Sequence, residues 1–299
     1  MRSGGRVVSV ALMTVPAPLV STQWLADHLG ADDLVVVDAT VLPSTQPNGR
    51  PGYLSGHEQY IVDGHVPGAV FADLTEVFSD PAGSYPFTRP SRRQFERAAA
   101  SIGVSNTSTV VVYDNVVGQW ASRIWWLFRA FGYDNVAVLD GGLAKWRAEE
   151  RETDVGHVEP AAATFTATER PELWVDKAYV ESVVDGTATA TLVCGLPPAE
   201  FAGDAGHRPR LGRIPGSVSA PAGRLVDRQT NAYLSEDDLR TAFAPVLGDE
   251  RIVTYCAGGI AAASDALALT LLGHRNVAIY DASLNEWAAD ETAPLVTGA

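Results

Sequence analysis

The segment FGYDNVAVLDGGLAKW at residues 131–146 returns as LGHRNVAIYDASLNEW at residues 272–287, an offset of 141 positions. A second pair of segments agrees, because GHVPGAV at residues 64–70 matches GRIPGSV at residues 212–218, an offset of 148 positions. Matches that keep their order and nearly keep their spacing indicate a duplicated domain and not a solenoid with a short repeat. The chain is therefore predicted to contain two copies of one folding unit.

Each copy alternates short apolar, β-branched runs with helical patterns, which is typical of a parallel sheet flanked by helices. The predicted fold class is α/β, with a mainly parallel sheet in each copy. The predicted strands are residues 34–37, 110–113, 136–139, 191–194, 252–255 and 277–280, and the predicted helices are residues 22–29, 92–102, 121–131, 176–184, 236–243 and 261–272.

The repeats also predict the domain organisation. The two copies are expected at residues 18–149 and 172–299, joined by a linker at residues 150–171 that lies over the surface and lacks an amphipathic period. Residues 1–17 are predicted to form a disordered leader. A signal peptide is the alternative for this segment, because two arginines precede an apolar stretch there.

Composition narrows the possible partners. The 299 residues carry a net charge of −14, which argues against a nucleic-acid partner because such binding depends on neutralising phosphates. No apolar stretch approaches the about 20 residues that a membrane-spanning helix needs. The two cysteines, Cys194 and Cys256, lack the close pairing or histidine companions of a disulfide framework or a zinc site. We therefore expect no metal, no organic cofactor and a reducing, cytoplasmic location.

Cys256 is the residue that points most clearly to chemistry. It lies in IVTYCAGGIAA at residues 252–262, where an apolar run meets a small-residue turn and then a helical pattern. Backbone N–H groups at a helix start favour negative charge, and the thiolate is the reactive form of cysteine. The alternative on this segment alone is a buried structural cysteine. A cysteine phosphatase is disfavoured, because it needs an arginine six positions later, where Ala262 stands.

Several motifs in order resemble the two-domain rhodaneses, the thiosulfate and 3-mercaptopyruvate sulfurtransferases. They are VDAT at 37–40, GHVPGA at 64–69, WW at 125–126, LDGG at 139–142 and the Cys256 segment. The resemblance implies tandem rhodanese-like domains and a ping-pong reaction in which Cys256 takes a sulfur from a donor and passes it, as a persulfide, to cyanide or a thiol. It also implies that the first copy is catalytically silent, because Asp114 stands where the second copy has Cys256.

The run after the cysteine bears on the choice of donor. In the thiosulfate branch of the family these residues are typically basic, whereas the mercaptopyruvate branch has an uncharged run with a serine. Here the run expected to cradle the persulfide is Ala257, Gly258, Gly259, Ile260 and Ala261, and Gly258 falls where that serine stands. Either donor remains open, and the alternative to catalysis is a sulfur-carrier or protein-interaction module with the same fold.

Recognition of a small anionic donor is assigned to arginines, whose planar fork suits a carboxylate or thiosulfonate. The candidates are Arg208, Arg210 and Arg213, which precede the second copy of the repeated motif, and Arg50. His65, a relay residue in the mercaptopyruvate branch, is more simply interpreted as stabilising a turn. Cys194 is interpreted as filling a small apolar pocket, with resolution of an oxidised Cys256 as the alternative.

Overall fold

The structure is a computed structural model that describes residues 12–47, 49 and 51–298. Arg50 and most of the predicted leader lie outside the described residues. None of the helices within these ranges is both long enough and apolar enough to cross a membrane.

The first unit is built on a parallel sheet of five strands. Its sheet has the order β1-β7-β6-β2-β5, and β3 and β4 form a separate antiparallel hairpin. The strands are β1 (Leu19–Val20), β2 (Leu34–Asp38), β3 (Val41–Thr45), β4 (Pro51–Ser55), β5 (Val70–Phe71), β6 (Thr109–Tyr113) and β7 (Val136–Leu139). The helices are α1 (Thr22–His28), α2 (His57–Val62), α3 (Arg92–Ser101), α4 (Gln119–Ala130) and α5 (Gly142–Ala148).

The second unit repeats this topology. Read from β8, its parallel sheet has the order β8-β12-β11-β9-β10, which reproduces the first sheet strand for strand. The strands are β8 (Trp174–Val175), β9 (Thr191–Cys194), β10 (Val218–Ser219), β11 (Ile252–Tyr255) and β12 (Val277–Tyr280). The helices are α6 (Lys177–Val184), α7 (Pro198–Ala202), α8 (Glu236–Phe243), α9 (Ala261–Leu271) and α10 (Ser283–Trp287), with 3₁₀ turns at Pro171–Leu173 and Ala222–Arg224.

The repeated motifs have one structural role in both units. The backbone N–H of Val66 donates to the hydroxyl of Tyr113 at 3.1 Å, and the N–H of Ile214 donates to the hydroxyl of Tyr255 at 3.2 Å. Both tyrosines end a central, fully buried strand. The turn of each motif is thus fixed to the end of its own sheet, and the predicted duplication and α/β fold are confirmed.

The two units pack through their longest helices, α4 and α9. Ten of the twelve residues of α4 are buried, and so is most of α9, because each helix lies between its own sheet and the other unit. Trp126 of α4 contacts Trp174 of the second unit edge to face, with ring centroids 6.3 Å apart. The carboxyl ends of β6 and β11, which precede these helices, are therefore brought to the interface.

The segment between the units does more than cross the surface. Residues 155–170 contain neither helix nor strand, and an isolated bridge joins Asp154 to His65. Phe165 is buried, and its ring contacts Phe95, Phe128 and Tyr133 of the first unit. The end of this segment therefore contributes to the core of the first unit.

Candidate active site

Cys256 directly follows β11, the central strand of the second sheet. The four residues of β11 are fully buried, and Cys256 itself is 2% exposed. Ligands in open α/β sheets bind at the carboxyl ends of the strands, which is the position of this thiol. The Cys256 loop, defined as residues 256–261, leads from the strand into α9.

Close contacts surround both glycines of the Cys256 loop. Gly259 has a φ of +78°, and a Cβ there would lie 2.6 Å from the carbonyl oxygen of Asp281. A Cβ at Gly258 would lie 2.8 Å from Nδ2 of Asn285. The Oγ of Ser283 accepts from the N–H of Cys256 at 3.1 Å and fixes the start of the loop. The loop can therefore keep this course only with glycine at position 259, whereas a side chain at position 258 requires the Asn285 side chain to move.

The remaining N–H groups of the loop are free of protein acceptors. Within the described residues, the backbone N–H groups of residues 257–262 donate no hydrogen bond to a protein atom. Unpaired N–H groups at a helix start are typical of sites that bind an anion, so the Cys256 loop is a candidate for one.

The corresponding loop of the first unit shows what such N–H groups bind. In the Asp114 loop, residues 114–121, Oδ1 of Asp114 accepts from the N–H groups of Val116 and Gly118 at 2.8 and 3.0 Å. Its Oδ2 accepts from Trp120 and Ala121, both at 3.0 Å. Burial raises the pKa of the Asp114 carboxyl, and the four N–H donors oppose that rise. The turn after the central strand is thus a cradle for a negatively charged group.

A cavity of about 560 Å³ opens over the Cys256 loop between the two units. From the first unit it is lined by Pro51, Tyr53, Pro86, Phe87, Gln119 and Trp120. From the second unit it is lined by Gly195, Leu196, Pro197, Glu200, His207, Arg208, Asn285 and residues 256–258, 260 and 261. Both copies are therefore needed to form this space.

The structure separates the three candidate arginines of the second unit. Arg208 lines the cavity, and its guanidinium lies 3.4 Å from the Glu200 carboxylate. Arg210 donates to the carbonyl oxygens of Asp290 and Ala293, and Arg213 donates to the carbonyl oxygen of Gly298. Arg210 and Arg213 thus anchor the C-terminal segment, and only Arg208 of these three is brought to Cys256.

His65 and Cys194 lie apart from the cavity lining found among the described residues. His65 is fully buried, its Nδ1 lies 3.0 Å from the carbonyl oxygen of Tyr60, and its ring stacks on that of Tyr60. Cys194 is a buried free thiol in register with Tyr255, and burial raises its pKa to about 12. Such a thiol is poorly nucleophilic at neutral pH, which fits the packing interpretation of Cys194.

Several site residues gave no local signal in the sequence. Tyr53 reaches the cavity from the β3–β4 hairpin, and Glu200 reaches it from α7. Arg123 lies in the apolar helix α4, and its Nη2 donates to Asp281 at 2.5 Å across the interface and to the carbonyl oxygen of Phe87 at 2.8 Å. The one sequence signal that could have identified Arg123 is a charged residue on the apolar face of a helical pattern. Arg123 thus ties Phe87, in the first-unit wall of the cavity, to Asp281 at the end of β12 in the second unit.

No metal site is evident in the part of the chain that the structure describes, where no cluster of three or more histidine, cysteine, aspartate or glutamate side chains could hold an ion.

Comparison with known proteins agrees with this geometry. The Rhodanese-like domain model matches residues 21–149 and 196–290. The 3-mercaptopyruvate sulfurtransferase of Escherichia coli K12 is 32% identical over 281 residues, covering 92% of this chain and 96% of that protein. The thiosulfate sulfurtransferase of Bos taurus is 33% identical over 286 residues, covering 90% of this chain and 91% of that protein.

A solved structure shows the same architecture. The crystal structure of SseA from Escherichia coli, a 3-mercaptopyruvate sulfotransferase by its description, superposes with a TM-score of 0.79 at 30% identity. The match covers 89% of this chain and 98% of that one. The chain belongs to the rhodanese family and is a two-domain sulfurtransferase.

Proposed function

We propose that the protein transfers a sulfane sulfur from thiosulfate or 3-mercaptopyruvate through a persulfide on Cys256 to cyanide or a thiol. The observation that carries this proposal is the contrast between the two loops. The N–H groups of the Asp114 loop hold a carboxylate, whereas those of the Cys256 loop follow a thiol in the chain and have no acceptor among the described residues. An anionic outer sulfur on Cys256 would supply that acceptor.

The first half-reaction forms the persulfide. With thiosulfate, the Cys256 thiolate attacks the outer sulfur, the S–S bond of thiosulfate breaks, and sulfite leaves with the electron pair. With 3-mercaptopyruvate, the thiolate attacks the thiol sulfur, the C–S bond breaks, and pyruvate leaves as its enolate, which then takes a proton. Splitting one transfer into two displacements is the advantage of covalent catalysis.

Arg208 supports recognition of the anionic donor. Its side chain is 11% exposed, and its Nε has no hydrogen-bond partner among the described residues. A buried guanidinium with an unused donor is suited to a ligand carboxylate or sulfonate. We assign the donor-binding role to Arg208 and not to Arg210 or Arg213, whose donors hold the C-terminal segment.

The first unit acts in this proposal as a non-catalytic partner. Asp114 carries no sulfur that could accept a sulfane atom, and its carboxylate fills the cradle. Its unit supplies the aromatic wall of the cavity through Phe87 and Trp120. Two free cysteines suit a reducing compartment, so we place the enzyme in the cytoplasm.

Steady-state turnover with each donor tests the proposal. With cyanide as acceptor, Cys256→Ser is expected to abolish thiocyanate formation, and Arg208→Ala to lower kcat/KM for both donors by about a hundredfold. Arg210→Ala, two positions away, is the matched control and should leave the donor KM unchanged. Turnover by Cys256→Ser, or equal losses in the two arginine variants, would contradict the assignment.

A further inference from the structure

The cavity over Cys256 contains a carboxylate beside its arginine, which is unexpected in a site for small anions alone. Glu200 and Arg208 are the two formally charged side chains among the described lining residues. The same Oε2 of Glu200 lies 3.4 Å from both Nη1 and Nη2 of Arg208. A strong arginine–carboxylate fork has N–O distances of about 2.7–2.9 Å, so this pair is loose.

Each member of the pair keeps capacity for a ligand. The 3.4 Å contacts allow Nη1 and Nη2 of Arg208 to exchange Glu200 for a ligand carboxylate, and the Glu200 side chain remains 30% exposed. Burial raises the pKa of the Tyr53 hydroxyl, and the charges of Cys256 and Glu200 raise it further, so all three groups face one space. A ligand reaching the sulfur of Cys256 therefore also meets Glu200.

The opposite charges of Glu200 and Arg208 discriminate between ligands according to the charges that each ligand carries. A dianion such as thiosulfate gains from Arg208 and is repelled by Glu200. A zwitterion that carries a carboxylate and an ammonium group on the same carbon gains from both, and the cavity volume of about 560 Å³ accommodates it.

We propose that Glu200 is a specificity-determining residue that adapts this site to an α-amino acid thiol, with the ligand carboxylate at Arg208 and its ammonium at Glu200. The inference rests on the proposed function and names its acceptor class. The acceptor thiol passes its proton to the anionic outer sulfur of the Cys256 persulfide and attacks that sulfur as the thiolate, and the S–S bond of the persulfide breaks. Cys256 leaves as the thiolate, and the amino acid departs as its persulfide with the proton on the outer sulfur.

The test uses ligands that cannot react. S-methyl-L-cysteine and 3-(methylthio)propionate differ by the α-ammonium group, and each is titrated as a protectant of Cys256 against iodoacetamide. In the wild type we expect S-methyl-L-cysteine to bind about tenfold tighter. Glu200→Gln should remove this preference and also lower the KM for thiosulfate, whereas Glu200→Asp should retain the preference.

The matched control is Glu236→Gln, because Glu236 also pairs with an arginine of the second unit, Arg240, at 2.6 Å on the surface. It should behave as the wild type. Equal binding of the two ligands by the wild type, or a preference that survives in Glu200→Gln, would overturn the inference. Protection does not depend on sulfur transfer, so a Cys256 that takes no sulfur would refute the proposed function and leave this readout intact.

Discussion

The loops that follow the two central strands, β6 and β11, occupy equivalent positions in the two units. They begin with different residues, Asp114 in the first unit and Cys256 in the second. In the Asp114 loop four N–H groups converge on a buried carboxylate, and the cradle is full. In the Cys256 loop the centre is a thiol, and the N–H groups have no protein acceptor within the described residues. The first copy thus shows, within the same chain, which kind of group the N–H groups of this turn hold.

The two loops also differ in their effect on the stability of the fold. A buried carboxylate with four donors stabilises the first unit as long as its partners stay in place. Under the proposed function, donors left unpaired in the Cys256 loop cost stability in the resting enzyme, and an anion bound by the loop recovers that cost. We therefore expect the duplication to have left the Asp114 loop as a structural element and the Cys256 loop as a binding site.

The largest effect is expected when Cys256 is replaced by aspartate, the residue type found at the equivalent position of the Asp114 loop. Cys256→Asp should lose sulfur transfer by more than about a thousandfold, because a carboxylate carries no sulfur. It should nevertheless unfold at a higher urea concentration than Cys256→Ala, since its carboxylate can accept the loop N–H groups. Urea titrations of both variants check this. A Cys256→Asp protein less stable than Cys256→Ala would show that the loop does not favour an anion.

The second prediction concerns removal of the carboxylate from the Asp114 loop. Asp114→Ala leaves four N–H groups without an acceptor, two of them in buried hydrogen bonds, and should lower the free energy of unfolding by about 3 kcal/mol. Asp114→Asn, which keeps one carbonyl oxygen, should lose less. Asp227, which accepts N–H groups in an exposed turn, provides the control, and Asp227→Ala should cost much less. Similar losses at the two aspartates would refute the importance of the buried cradle.

The third prediction changes the course of the Cys256 loop. Gly259→Ala introduces a Cβ 2.6 Å from the Asp281 carbonyl oxygen at a φ of +78°. We expect a stability loss of about 2 kcal/mol with slower sulfur uptake. Gly273→Ala has a φ of +84° and nothing within 4 Å, so it should cost only about 1 kcal/mol and leave uptake unchanged. Thermal melts and a rapid-mixing uptake assay would separate the two variants.

The smallest expected effect is a pH dependence of stability that arises from Asp38. Asp38 ends β2, and Cys194 ends the equivalent strand, β9, of the second unit. Burial raises the pKa of Asp38 to about 6, above its value of about 3.9 in unfolded chains. A raised carboxyl pKa stabilises the fold at low pH, and that contribution is lost as the pH rises through 6. Between pH 5 and pH 7 the wild type should lose about 1 kcal/mol relative to Asp38→Asn. Urea unfolding at both pH values measures this difference, and a constant difference would exclude ionisation of Asp38.

The sequence predicted the regular framework well and the cavity poorly. Apolar periodicity placed six strands and six helices to within two residues at each end, because these elements bury one continuous apolar face. The β3–β4 hairpin was missed, since Pro43, Pro51 and Gly52 interrupt its alternation. That hairpin nevertheless delivers Tyr53 to the site.

The part of the candidate site that lies in one continuous segment of the chain was predictable from the sequence. Cys256 and its loop follow from a strand, a glycine pair and a helix that are contiguous in sequence. The three arginines were indistinguishable because they lie within six residues of one irregular loop, and only contacts with the distant C-terminal segment separate them. Glu200 and Arg123 act across elements or units, so no local pattern pointed to their contacts.

The central claim is that the Cys256 loop, and not the Asp114 loop, takes up an anionic sulfur. Intact mass of the reduced protein after incubation with thiosulfate, and separately with 3-mercaptopyruvate, tests it most directly. We predict a gain of about 32 Da that dithiothreitol removes, that is absent from Cys256→Ser and that persists in Cys194→Ser. No gain with either donor, or a gain that remains in Cys256→Ser, would contradict the account.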